Sequence, residues 1–206
     1  MIRKTLSIRS LGNAQIRSHH RGFSLVEVLM SVVLLAIGIA LALPSYRDMV
    51  EKRQVTNGAE QLATFINTAQ GVAMKTNQVV TVSYDRNADN EWCLGATVGT
   101  VACDCHEADA CQIAAQPFIL NNEHAGNRDL VHAMGESDSG SYSFDPVRGF
   151  APDLAQALTL ELRSPGEDFR LNLMVNNTGR VILCSEDGSH AVPGYAPCPT
   201  EEEPES

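Results

Sequence analysis

Residues 23 to 43 read FSLVEVLMSVVLLAIGIALAL, 21 positions with a single charged side chain, Glu27. About 20 apolar residues in helical form are enough to cross the hydrocarbon core of a bilayer, so this chain enters a membrane near its N-terminus. Arg3, Lys4, Arg9, Arg17 and Arg21 precede the run, with no acid among them. Basic flanks stay on the cytoplasmic side, which places residues 1–22 in the cytoplasm and everything after Leu43 beyond the membrane. The competing reading is a secretory signal peptide: a basic n-region, an apolar h-region and Ala40-Leu41-Ala42 as a small-x-small site cut after Ala42.

The remainder of this 206-residue chain is the size of one ordinary domain. Beyond the five N-terminal bases, 10 basic residues stand against 25 acidic ones, a net charge of −15. Counterion release needs clustered Lys and Arg, so this balance excludes a general phosphate-binding surface. All six cysteines lie after residue 90, and the membrane orientation puts them in an oxidising space, where disulfides persist.

Glu27 needs an explanation, because a carboxylate deep in an apolar segment costs about 2.5 to 3.5 kcal/mol on insertion scales and is seldom left without a partner. The junction Arg21-Gly22-Phe23-Ser24-Leu25-Val26-Glu27 resembles the processing site of type IV prepilins and pseudopilins. The resemblance implies that a prepilin peptidase in the inner membrane cuts between Gly22 and Phe23 and methylates the new amine of Phe23. It makes Glu27 the fifth mature residue, where the family carries its Glu, and puts Pro44 where many members have a proline in the long helix. It also implies other minor pilins, a major pilin or pseudopilins as assembly partners. The buried carboxylate of Glu27 would pair with the amine of Phe23 on a neighbouring subunit, a register device in a filament.

From Pro44 to about residue 75, Val55, Ala59, Leu62, Ala63, Ile66, Ala69 and Ala73 recur at spacings of three and four, the stripe of an amphipathic helix. Arg47, Asp48, Glu51, Lys52, Gln54, Glu60 and Asn67 are expected to face solvent. A helix over residues 23–74 would be about 80 Å long, longer than a small domain is wide, and Pro44 is expected to kink or loosen it. Beyond residue 75 the period becomes 2: strands are expected at 80–84, 158–162, 169–175 and 180–184, and weaker ones at 91–98, 129–134 and 141–144. Residues 164–167 and 176–179 read as turns, 121–127 and 135–140 as loops. The expected organisation is a cleaved leader at 1–22, a membrane and filament-core helix at 23–43, an amphipathic half at 44–75, a β-rich domain at 76–199 and a disordered acidic tail at 200–206.

Trp92-Cys93, Cys103-Asp104-Cys105, Phe144-Asp145-Pro146-Val147-Arg148-Gly149 and Gly179-Arg180-Val181-Ile182-Leu183-Cys184 narrow the resemblance to the minor-pilin and pseudopilin group of the FimT/FimU/GspH kind. It implies an α+β, pilin-like fold: a long N-terminal α-helix, its first half membrane-spanning, packed on a C-terminal antiparallel β-rich domain. The implied route is a single-pass inner-membrane protein with a periplasmic domain, later built into a pilus or secretion filament. Some members bind DNA through a Gly-Arg-x-Arg motif. Gly179 and Arg180 match it and Ile182 stands where the second Arg would be, so Arg180 is the candidate DNA contact, set against a mature charge of −15.

Cys184 and Cys198 enclose a 15-residue segment with Gly188, Pro193, Gly194 and Pro197; bridging them would contribute about 3 kcal/mol in the chain-entropy model. Cys93, Cys103, Cys105 and Cys111 then form two bridges in one of three ways, with Cys103–Cys105 disfavoured by the strain of so small a ring. The cluster with His106 also offers zinc-ligand types, but without paired CxxC knuckles, so no metal is expected. His106, His124, His132 and His190 are scattered, no serine lies in a nucleophile elbow and no Gly-rich phosphate loop follows a strand. Glu107/Asp109 and Asp85/Asp89/Glu91 do not match a twelve-residue calcium loop. Tyr46, Trp92 and Phe144 read as packing residues. The expectation is a non-enzymatic minor type IV pilin without a cofactor that begins or caps a filament and supports adhesion, motility or DNA uptake, with a type II secretion pseudopilin as the alternative.

Overall fold

The structure, a computed structural model, describes residues 22–87, 91–123, 131–134 (course of the backbone only), 139–149, 158–176, 178–186 and 188–199. Residues 1–21 of the leader, Asp89, His124 and the acidic tail lie outside the described residues. The chain divides into two compact units, Met1–Leu43 and Pro44–Ser206. One helix, α1, covers Leu25–Thr76, and Pro44 sits inside it without ending it. In the first unit the large apolar side chains of the helix are exposed, from Leu25 to Leu43, in a segment long and apolar enough to span a membrane.

In the second unit the described residues form ten strands: β1 (Val80–Arg86), β2 (Trp92–Val98), β3 (Gln112–Ile113), β4 (Gln116–Pro117), β5 (Ile119–Asn121), β6 (Val131–Met134), β7 (Ser139–Phe144), β8 (Leu158–Arg163), β9 (Arg170–Val175) and β10 (Val181–Ser185). They make two four-stranded sheets, in the orders β5-β2-β1-β7 and β10-β9-β8-β6, and a small hairpin β3-β4. Each pairing between these strands is antiparallel. The fold is α+β, a long helix whose second half packs on antiparallel sheets.

One helical face, built from Val55, Gly58, Ala59, Leu62, Phe65, Ile66, Ala69 and Ala73, is buried. It shares a core with Val82, Trp92, Leu94 and Phe144 of the first sheet and with Leu160, Leu162, Leu171 and Leu173 of the second. Burying a Leu, Ile, Val or Phe side chain in this way stabilises by about 1.5 to 3 kcal/mol. Gly58 and the alanines let the helix approach closely, while Leu62, Phe65 and Ile66 supply the bulk. In β8 and β9 burial alternates residue by residue, as expected of a sheet with one face on the core.

Strands β1 and β2 break that alternation, because Thr81 and Ser83 are buried along with Val80 and Val82. A loop lies over the outer face of the sheet: Thr81 Oγ1 donates to the Gly99 carbonyl at 2.7 Å, and the Cys103 amide donates to Ser83 Oγ at 2.9 Å.

Several expectations are corrected. Asn121 ends β5 instead of opening a loop, paired with Cys93, and Gln54 is half-buried and not solvent-facing. Ser139 and Gly140 belong to β7 and not to a loop, paired with Asp85 and Tyr84. The glycine signals no turn; it makes room for the Tyr84 hydroxyl, which occupies the space a Cβ would fill. Tyr46 is 64% exposed, since burial on α1 begins only at Val55. Glu51 and Lys52 are half-buried, because they reach the β8–β9 turn: Ser164 Oγ donates to Glu51 Oε2 at 2.8 Å, and Lys52 Nζ lies 4.6 Å from the Phe169 ring centroid.

Candidate functional site

Gly22, Phe23 and Ser24 precede the first helical turn, and the Phe23 side chain is 80% exposed. The Ser24 carbonyl accepts from the amides of Glu27 at 3.0 Å and Val28 at 3.2 Å, which opens the helix. Glu27 therefore stands in the first turn. A negative charge there is favoured by the unpaired amides and the helix dipole, a local role for the carboxylate that its place in the apolar run did not suggest.

The two sequence motifs of the β-rich domain are turns of the same design, and they meet at one side chain. In the first, Asp145 Oδ1 accepts from the amides of Val147 and Arg148, each at 2.9 Å, and the Gly149 amide donates to the Asp145 carbonyl at 2.8 Å. In the second, Asn176 Oδ1 accepts from the amides of Thr178 at 3.1 Å and Arg180 at 2.9 Å, and the Gly179 amide donates to the Asn176 carbonyl at 2.9 Å. Both turns end on a buried glycine in the left-handed region, φ 73° at Gly149 and 76° at Gly179, a conformation other residues adopt at a cost. Gln70 of α1 then donates both amide hydrogens, one to the Gly149 carbonyl and one to the Gly179 carbonyl at 3.0 Å.

The left-handed backbone explains why glycine stands at both positions; the staple was invisible in sequence because Gln70 has no motif of its own. Arg180 is exposed beside it.

The cysteines join as Cys93–Cys105, Cys103–Cys111 and Cys184–Cys198. The first crosslinks the loop to β2 and the second closes the loop on itself, over a point where β2 has Gly95; a Cβ there would collide with the sulfur of Cys111. Beside them His106 Nε2 lies 2.8 Å from Asp85 Oδ2, and the His106 amide donates to Asp104 Oδ1 at 2.9 Å. Ligand atoms of Cys93, Cys105 and His106 lie within 4.8 Å of one another. With the two sulfurs bonded to each other, no thiolate is offered to a metal.

The third bridge closes a loop that reaches back to the helix. Val192 in this loop is buried in the core, and the Tyr195 hydroxyl donates to Glu60 Oε1 at 3.2 Å. Burial first, and then the Glu60 charge, raises the Tyr195 phenol above its ordinary value.

Residues 58–179 match the family described as type II transport protein GspH, and residues 17–43 match the prokaryotic N-terminal methylation motif. Two fimbrial proteins of Pseudomonas aeruginosa are each 25% identical over 121 residues, covering 59% of this chain and 71% of theirs. A crystal structure of the P. aeruginosa type IV minor pilin FimU aligns at 19% identity and a TM-score of 0.46, covering 71% of this chain and 98% of that one.

The chain is a type IV pilin-like subunit of the minor-pilin and pseudopilin class. Within that class it belongs to the GspH family, whose match spans more than half of its length. Its N-terminal apolar helix and methylation motif fit a membrane-anchored pilin, and family membership implies processing by a prepilin peptidase and assembly with other pilins.

Proposed function

We propose that the chain is a minor type IV pilin: a non-catalytic subunit held in the inner membrane by residues 23–43 with its domain in the periplasm, cut between Gly22 and Phe23, and then built into the base or tip of a pilus. The observation that carries this reading is the placement of Glu27. It is the one charge in the apolar run, five residues beyond Gly22, within the segment that matches the methylation motif. The fimbrial relatives support the pilus over other filaments. The β-rich domain serves as the docking surface that specifies neighbours. The matched domain family supports a second reading, a pseudopilin of a type II secretion filament, which shares all of the N-terminal physics. DNA reception through Arg180 is the weakest reading, because the mature chain carries −15 and duplex binding needs clustered cations.

Mass spectrometry of the mature N-terminus, in cells with and without the prepilin peptidase, tests the class. A peptidase-dependent methylated Phe23 is expected; an uncut chain, or one beginning at Leu43, would overturn the proposal. Deleting the gene then separates the filaments: loss of piliation with intact protein secretion supports the pilus, and the reverse supports the pseudopilin.

A further inference from the structure

We propose that the Cys93–Cys105 corner is a redox-gated metal site: once this disulfide is reduced, Cys93, Cys105 and His106 bind Zn2+ and Asp85 orients the histidine. Three facts of geometry support it. The ligand atoms of the three residues lie within 4.8 Å of one another. Around one tetrahedral zinc, neighbouring sulfur and nitrogen donors stand roughly 3.5 to 3.8 Å apart, so the site forms once the two sulfurs separate and the histidine nitrogen draws in. Asp85 lies directly across from Cys93 in the β1–β2 register, and its Oδ2 is 2.8 Å from His106 Nε2. A carboxylate hydrogen-bonded to one ring nitrogen fixes the ring and leaves the other nitrogen to ligate, the arrangement in which metal-bound histidines are commonly held.

The corner does not depend on its disulfide for position. Cys103 is tied to Ser83 and bridged to Cys111, and the His106 amide is held by Asp104. Opening Cys93–Cys105 therefore leaves Cys105 and His106 beside the strand that carries Cys93. Both cysteines are buried, Cys93 at 1% and Cys105 at 4% exposure. His106 stands at the rim of a polar cleft of about 430 Å³ that also holds Ser83, Asp85 and Ser141, and this cleft is the way in for an ion and for the water that fills the fourth position.

The chemistry is exclusive. A disulfide sulfur is a poor ligand and a thiolate a strong one. A dithiol reductant supplies two electrons and two protons and leaves as its own disulfide, while the Cys93–Cys105 bond becomes two thiols. Zn2+ then replaces the two thiol protons, which pass to solvent.

The test is an anaerobic titration of the full chain in detergent, reduced with a phosphine to the point where differential alkylation and mass spectrometry show Cys93 and Cys105 free and the other two bridges closed, using Co2+ as a spectroscopic probe and then Zn2+. The expected result is one Co2+ per chain, with thiolate-to-cobalt charge-transfer and tetrahedral ligand-field bands that Zn2+ abolishes and that the oxidised chain never shows. The bands should vanish in Cys93→Ser/Cys105→Ser, and binding should weaken about 10- to 100-fold in Asp85→Asn. Reduced wild-type chain without the bands would overturn the proposal, as would bands that survive in the double serine variant or an unchanged affinity in His106→Ala. If circular dichroism shows that reduction unfolds the domain, Zn2+ must restore the fold, because a ligand bound only by the native state stabilises it; failure to restore it also counts against the site.

Discussion

At the residue scale, two positions decide how tightly the outer loop can be held. Gly95 lies beneath both bridges of the loop, and a Cβ there would stand 2.9 Å from Cys105 Cβ and closer still to Cys111. Gly95→Ala is expected to lower stability by about 1 to 3 kcal/mol through overpacking, read from the urea midpoint of the oxidised chain in detergent; an unchanged midpoint would mean that the loop shifts aside freely. Ala114 and Ala115 present the opposite case. They form the two-residue turn between β3 and β4 with φ 53° and 60°, the left-handed pair that hairpins normally fill with Asn-Gly. Each alanine so placed costs about 1 to 2 kcal/mol, and Ala114→Asn/Ala115→Gly should raise stability by about that much in total, seen as a higher melting temperature. The same turn shows where sequence reading stopped. Turns at 164–167 and 176–179 were legible because Pro, Gly and Asn have turn chemistry, whereas Ala-Ala has none, and so β3 and β4 went unseen. Cys111 at the base of the hairpin and the Phe118 ring, 4.7 Å from Phe65, force the turn from outside.

At the scale of elements, α1 is held by polar contacts as well as by its apolar stripe. The stripe was legible from spacing alone; Gly58 and Phe65 completed it, and the uses of Glu51, Lys52 and Gln70 depended on turns far away in sequence. Gln70→Ala should cost about 1 to 3 kcal/mol, since it leaves the carbonyls of Gly149 and Gly179 without their donor. Gln70→Glu should cost more, because a carboxylate would face the same two acceptors; denaturant unfolding of the two variants side by side checks the order. The loop from Ser185 to Cys198 makes a contact that depends on pH. The Tyr195 phenol is raised in the folded state from an unfolded value near 10. Its protonated form therefore contributes stability that is complete below about pH 10 and lost as the pH rises through the folded value. The stability difference between wild type and Tyr195→Phe should shrink across that alkaline window, measured by urea unfolding at successive pH values; a constant difference would leave the Glu60 contact without energetic weight.

At the scale of the molecule, the membrane helix and the β-rich class were readable from two periods, 3.6 and 2, and from one run of apolar residues. The way the two sheets share one helix was not, since it rests on pairings between distant segments such as β6 with β8. Glu27→Ala is expected to insert into the membrane at least as well as wild type while entering filaments poorly, measured by immunoblotting of sheared filaments against membrane fractions; normal incorporation would remove the carboxylate from assembly. The crosslinks have a mechanical consequence. All three bridges lie between Cys93 and Cys198, and α1 contains no cysteine. Tension applied through the N-terminal helix is thus borne by packing, by the Gln70 staple and by the Glu51 and Glu60 contacts, all of which can part and re-form. The covalent crosslinks lie beyond that joint. Under load the helix would shear from the sheets first, and the segments 93–111 and 184–198 would stay closed, limiting how far a strained subunit can extend.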